Sequence, residues 1–213
     1  MSRYSYFWQR PRTHREALAE RRVTFLELFY DLVYVVLIAR IGLGLHDHVD
    51  GRSVAAFGIL FSLSWIGWYN GSLLHDAHGR ADVRNRLLTF LQMFAIAAMA
   101  VFATAAPGAG GRGFAICYTA FLMILVWQWI VVARLERLDP VYGPITRRYT
   151  TSMVIMTAWI GASIFATQDV RLWMWGAFVA AFIFGMVLFA FSDRGSERAA
   201  EAANPLATES LLE

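Results

Sequence analysis

The sequence predicts an all-α, polytopic transmembrane helix bundle of about six spans, with both termini in the cytoplasm. Three observations lead there. Of the 213 residues, 58% are hydrophobic and only 16% are charged, where a soluble domain carries about a quarter charged residues. The apolar residues gather into six runs, at approximately 24–45, 54–74, 87–106, 113–132, 151–168 and 172–191. Each is close to the roughly 20 residues a helix needs to cross about 30 Å of hydrocarbon. The arginines between the runs are one-sided. If the N-terminus lies inside, the cytoplasmic segments hold Arg3, Arg10, Arg12, Arg15, Arg21 and Arg22, then Arg80, Arg84 and Arg86. They also hold Arg134, Arg137, Arg147 and Arg148, and finally Arg194 and Arg198, against Arg52, Arg112 and Arg171 outside. Positively charged loops stay on the cytoplasmic side.

Taken in order, residues 1–23 form a basic cytoplasmic segment with no apolar core or cleavage site after it, so no removable signal peptide is expected. Residues 24–191 form the transmembrane domain. Its fifth run is the most polar, with Thr151, Ser152, Thr157 and Ser163, side chains that neighbouring helices can satisfy. Residues 192–213 turn charged and small, and are expected to be mostly disordered. Trp65, Trp68, Tyr69, Trp127, Trp129, Trp173 and Trp175 sit where interfacial aromatic belts would be. No convincing GxxxG pair stands out, though Gly58, Ala95, Ala98, Gly161, Ala162, Gly176 and Ala181 would permit close helix contact. The single Cys117 excludes an intrachain disulfide. A pI near 9.3 comes from loop arginines, so no nucleic-acid partner is expected.

The first span is the informative one. Thr24, Glu27, Asp31 and Tyr34 are spaced 3, 4 and 3, which lays them along one helical stripe. Glu27 has two readings, as the acid of a Thr24-x-x-Glu27 capping box or as part of an acidic site. Asp31 lies roughly 10 Å along the axis at 1.5 Å per residue. An acid at a helix centre costs about 2.5–3.5 kcal/mol to insert, so Asp31 is expected to face protein or a water-filled cavity. Candidate partners at the same depth are Asn70, Gln92 and Gln128, with Arg84 and Arg86 approaching from the loop. Together they read either as a hydrogen-bonded clasp between helices or as an ion, proton or solute site. Arg40 lies about 180° around the helix from Asp31 and reads as snorkelling to the outer interface. His46-Asp47-His48 and His75-Asp76-x-His78 read as solvated loops, and no metal site is expected. No nucleophile–base set or phosphate loop is present, so neither an enzyme nor a cofactor is expected.

The run from Thr24 to Val36 resembles the opening signature of the bacterial low temperature requirement A family, a Glu-Leu-Phe-aromatic-Asp-Leu-Val-aromatic segment after a basic start. Trp65-x-x-Trp68, the His75-Asp-x-His-Gly79 loop, Arg86-Leu-Leu, Gln92-Met93 and Met99-Ala100 extend the likeness over approximately residues 10–190. The resemblance implies a multi-pass membrane protein and carries over Glu27 and Asp31, but no molecular activity. Many relatives are roughly twice as long, with a second set of spans, so pairing of two copies is expected to supply what a half-length chain lacks. The leading expectation is a channel- or carrier-like protein of the bacterial plasma membrane, working on a small ion or solute through Asp31 and Glu27. The rival is a non-transporting component that supports the envelope in the cold through lipid or protein contacts.

Overall fold

The computed structural model describes residues 25–46, 49–78 and 83–202 together with Pro11 and Thr13, and gives only the backbone for Ala77 and 188–202. Among the described residues there are six α-helices, one 3-10 turn and no strand. Helix α1 covers Phe25–His46, α2 Gly51–His78, α3 Val83–Ala103, α4 Gly111–Glu136 and α5 Tyr142–Ala162. The 3-10 turn Ser163–Phe165 follows, and α6 covers Gln168–Ala202. Each apolar run became a helix, but the helix ends follow capping rather than hydropathy. Asp50 accepts the backbone N–H of Ser53 at 2.7 Å and so opens α2 ahead of its apolar run. The Asp139 carboxylate accepts the N–H groups of Val141 (2.9 Å) and Tyr142 (3.1 Å), and α5 starts there, well before the run at 151. The tail expected to be disordered from 192 is helical as far as Ala202. Its alanines, glutamates and arginines are strong helix formers, a property that polarity alone conceals. The segments 1–10, 14–24 and 203–213, with Thr24, His48 and Arg80, lie outside the described residues.

Among the described residues, four helices are long and apolar enough to cross a membrane: α1, α3, α4 and the Gln168–Val187 part of α6. The expected six spans therefore reduce to four on hydropathy alone. Helix α2 fails because Ser62, Ser64, Asn70 and its indoles dilute it, and α5 because of Arg147, Arg148 and its four threonines.

The chain divides into two compact units, 1–175 and 176–213. In the first, α4 is the central helix and lies against both α3 and α5, while α1 lies against α2 and α3. Tyr30, Tyr34, Leu37 and Ile41, spaced 4, 3 and 4, form the buried face of α1. Leu63, Ile96, Phe114, Phe121 and Leu125 are fully buried on the other helices, and the Phe121 ring meets Tyr34. In the second unit α6 continues, with Phe178 and Val179 buried.

Two features of the first unit escaped the sequence reading. Gly67 and Gly71 are a GxxxG pair on α2, and they receive the α1 tyrosines. A Cβ on Gly67 would lie 3.3 Å from the Tyr34 hydroxyl and 3.2 Å from the Phe121 and Tyr118 rings. One on Gly71 would overlap the Tyr30 hydroxyl. Gly58, by contrast, has nothing within 4 Å of such a Cβ, so it makes no close helix contact there. The second feature is the α5–α6 connection. Arg171, expected in an outer loop, is 7% exposed. Its Nε donates to the Ser163 carbonyl at 3.0 Å and its Nη2 to the Ala166 carbonyl at 2.7 Å, satisfying carbonyls left open where the helix ends. Trp175 adds a bond from Nε1 to the Ser163 hydroxyl at 3.0 Å.

Candidate functional site

The start of α1, the end of α2, the start of α3, the end of α4 and the start of α5 meet at one end of the first unit, the arginine-rich end. Buried polar side chains concentrate in that half. Asn70, His75, His78, Thr89, Gln92, Gln128, Glu136, Thr146 and Thr150 are all buried. Asn70, Gln92 and Gln128, grouped by depth in the sequence, are each buried, and so is Tyr34. Gln92 Nε2 donates to Gln128 Oε1 at 2.6 Å, joining α3 to α4. Asn70 Nδ2 donates to the Ile66 carbonyl at 2.6 Å, and its Oδ1 accepts the Tyr149 hydroxyl from α5. Thr146 donates to Glu136 Oε2 at 2.6 Å.

Aromatic and histidine rings fill the space between these pairs. The Tyr30 ring stands edge-on to His75, with centroids 5.1 Å apart, and to Tyr34 at 5.3 Å. His78 meets the Trp129 ring edge-on at 5.2 Å, and Trp129 meets Tyr149 at 4.5 Å. His75 Nε2 lies 3.3 Å from the Thr89 hydroxyl. His75 and His78 were expected in a solvated loop, but α2 runs to His78 and buries both. Trp129 and Trp175, assigned to the belts, are core residues at 3% and 1% exposed. Trp65, Trp127 and Trp173 do lie on the surface. Four buried atoms, the Tyr30 and Tyr34 hydroxyls, Gln92 Oε1 and Trp129 Nε1, have no hydrogen-bond partner among the described residues.

Asp31 is elsewhere. It lies on the exposed side of α1, between the exposed Leu28, Leu32 and Val35. Its Oδ1 accepts the indole N–H of Trp68 at 2.8 Å. It meets neither Asn70, Gln92 nor Gln128, and no ion pair among the described residues joins it to Arg84 or Arg86. The cause is helical geometry. At 100° per residue Asp31 falls about 60° from Tyr34, and the buried face centres on Tyr30 and Tyr34, so the acid lands on the rim beside α2. Glu27 is half-buried one turn nearer the arginine-rich end, Arg84 is half-buried and Arg86 exposed. Arg40 does more than snorkel, since its Nε donates to the Ala100 carbonyl at 3.3 Å and its own carbonyl accepts from Thr104.

At the opposite end a cavity of about 280 Å³ opens between Ile41, Arg52, Ala56, Leu60, Ala103 and Leu172. Arg52 at its rim pairs with Asp169 at 2.5 Å, with both side chains largely in solvent, where a pair contributes little.

Helices long and apolar enough to cross a bilayer, with polar groups bonded to one another inside, define an integral membrane protein of the helical type. The model of the family described as "Bacterial low temperature requirement A protein (LtrA)" matches residues 22–209, and the chain belongs to that family. No curated protein and no solved structure matches it.

Proposed function

We propose that this protein is a channel- or carrier-like protein of the bacterial plasma membrane, with Asp31 as its membrane-embedded acid. One observation carries the reading: a carboxylate stands on the bundle surface, among apolar residues in the first third of α1, and is oriented there by Trp68. Asp31 lies roughly 7 Å from the midpoint of α1, and Trp68 a similar distance from that of α2, at 1.5 Å per residue. Both are well inside a hydrocarbon layer about 30 Å thick. A carboxylate has about four lone-pair sites, and one indole N–H serves only one of them. Acids at such depth face protein or water rather than lipid. A second copy of the chain laid against the α1–α2 face supplies that environment, with a small ion or solute passing between the copies and Glu27 at its cytoplasmic mouth. Oligomers favour such two-fold contacts.

A different observation favours the rival reading, a non-transporting component that serves the envelope through lipid and protein contacts. Gln92 and Gln128 bond to each other, and Asn70 to Tyr149, as a helix clasp would.

The test is flux of K⁺, Na⁺, H⁺ and small osmolytes in liposomes holding the purified protein, beside thermal stability in detergent. Asp31→Asn retains an oxygen for the Trp68 N–H and loses the carboxylate, so a stable protein without flux is expected. Native-like nanodiscs are expected to hold twice the 24.0 kDa chain. Normal flux at every pH in a stable Asp31→Asn protein would falsify the mechanism and leave Asp31 a packing residue.

A further inference from the structure

Helices α4 and α5 enclose a groove of about 340 Å³ at the arginine-rich end. Its walls come from one face of each helix. Ile130, Ala133, Arg134 and Arg137 are spaced 3, 1 and 3 on α4 and its C-cap, and Arg147, Thr150, Thr151 and Val154 likewise on α5. We propose that this groove binds an anionic phospholipid, its phosphate held by Arg134, Arg137 and Arg147 and its acyl chain laid along Ile130, Ala133 and Val154. The inference is independent of any role for Asp31.

Three features favour that occupant. The groove's own surface is almost wholly apolar, so the arginines line it with their stems and leave their charges at its rim. The arginines stand in the last turns of α4 and the first turns of α5, while Ile130 and Val154 lie one to two turns deeper, as a lipid's head and tail require. The floor offers few free donors, because the Thr150 hydroxyl donates to the Thr146 carbonyl at 2.8 Å and that of Thr151 to the Arg147 carbonyl at 2.9 Å. The apolar floor suits a hydrocarbon chain, which needs no hydrogen-bond partner. The charges are also uncommitted. No ion pair among the described residues involves Arg134, Arg137 or Arg147. Glu136 accepts from Thr146, and Asp139 from the N–H groups that open α5. Guanidinium groups match phosphate oxygens two at a time, and basic pockets between helices on the cytoplasmic side are suited to acidic head groups.

The experiment is native mass spectrometry of the full chain, released from nanodiscs of equal phosphatidylglycerol and phosphatidylcholine, counting retained lipids. Wild type is expected to retain phosphatidylglycerol about ten-fold over phosphatidylcholine, from several arginine contacts near the surface. The double variant Arg134→Gln/Arg147→Gln is expected to lose that preference. Arg86→Gln/Arg148→Gln, which removes two exposed charges of the same end outside the groove, is expected to keep it. No preference in wild type, or equal loss in both variants, would overturn the site. So would displacement of the lipid by millimolar inorganic phosphate, the mark of a soluble-anion site. A photoactivatable phosphatidylglycerol applied to wild type requires no variant to fold. Its label is expected on 130–137 or 147–154, and labelling confined to other helices would refute the proposal.

Discussion

Replacing Gly71 by alanine sets two effects of known size against each other. Alanine is favoured over glycine in a helix interior by about 0.8–1.0 kcal/mol. The new Cβ, however, would overlap the Tyr30 hydroxyl, with the ring's Cζ next at 3.2 Å. Forcing an extra carbon into a filled site costs about 1–3 kcal/mol, so Gly71→Ala is expected to destabilise the wild type. Tyr30→Phe removes the overlapping oxygen and leaves the nearest ring atom only slightly tight. That hydroxyl has no hydrogen-bond partner among the described residues, so Tyr30→Phe alone is expected to be nearly neutral. In the Tyr30→Phe background Gly71→Ala should become neutral or stabilising. The coupling is then about 1–3 kcal/mol, within the range for residues in contact. Reversible unfolding in mixed micelles over the four proteins measures it. Gly58→Ala on the same helix, with open space around its Cβ, is the control for propensity and is expected to stabilise. Equal effects of Gly71→Ala in both backgrounds would refute the tyrosine-in-notch contact between α1 and α2.

Three further outcomes are expected. Gln92→Leu strands the Gln128 amide and should cost about 1–3 kcal/mol, while Gln92→Leu/Gln128→Leu should recover most of that, since replacing both partners is nearly neutral; melting temperatures decide it. Arg171→Gln should free the Ser163 and Ala166 carbonyls and destabilise by a similar amount, and it should raise hydrogen exchange across the α5–α6 connection. Reporter fusions after residues 48, 110 and 169 should read outside and those after 80, 142 and 200 inside. Disagreement between 142 and 200 would show that α5 or α6 does not cross.

The sequence disclosed those features that a single helix expresses by itself. Six apolar runs gave six helices, and the pairing of Gln92 with Gln128 agrees with their shared depth, because depth depends on distance along an axis. Direction around the axis was lost at Asp31. Spacing grouped it with Tyr34, but only knowing which neighbours cover α1 shows that the buried face centres on Tyr30 and Tyr34. Two signals were present and passed over. Tyr30 and Tyr34 share the four-residue interval of Gly67 and Gly71, so the larger pair fits the smaller once the helices are side by side. Asn70, Leu74, His75 and His78 keep a helical interval across the supposed end of span 2, and all four are buried. Arg171 gave no comparable signal. Its partners are backbone carbonyls, which carry no mark of side-chain identity.

The two helices that hydropathy leaves out are also the two that contribute Asn70 and Tyr149, which bond to each other. Much of what makes α2 and α5 too polar alone is matched inside the first unit. Ser64 donates to the Leu60 carbonyl, and Thr150, Thr151, Ser152 and Thr157 each bond a carbonyl one turn back. A hydroxyl so bonded costs lipid much less than a free one, because no donor is left open in hydrocarbon. Asn70 has no such local solution for its oxygen and depends on Tyr149. By hydropathy α1, α3, α4 and the Gln168–Val187 part of α6 are long and apolar enough to cross a bilayer, whereas α2 and α5 are not. Both also lie against α4, whose mean hydropathy of 2.1 is the highest of the four candidate spans.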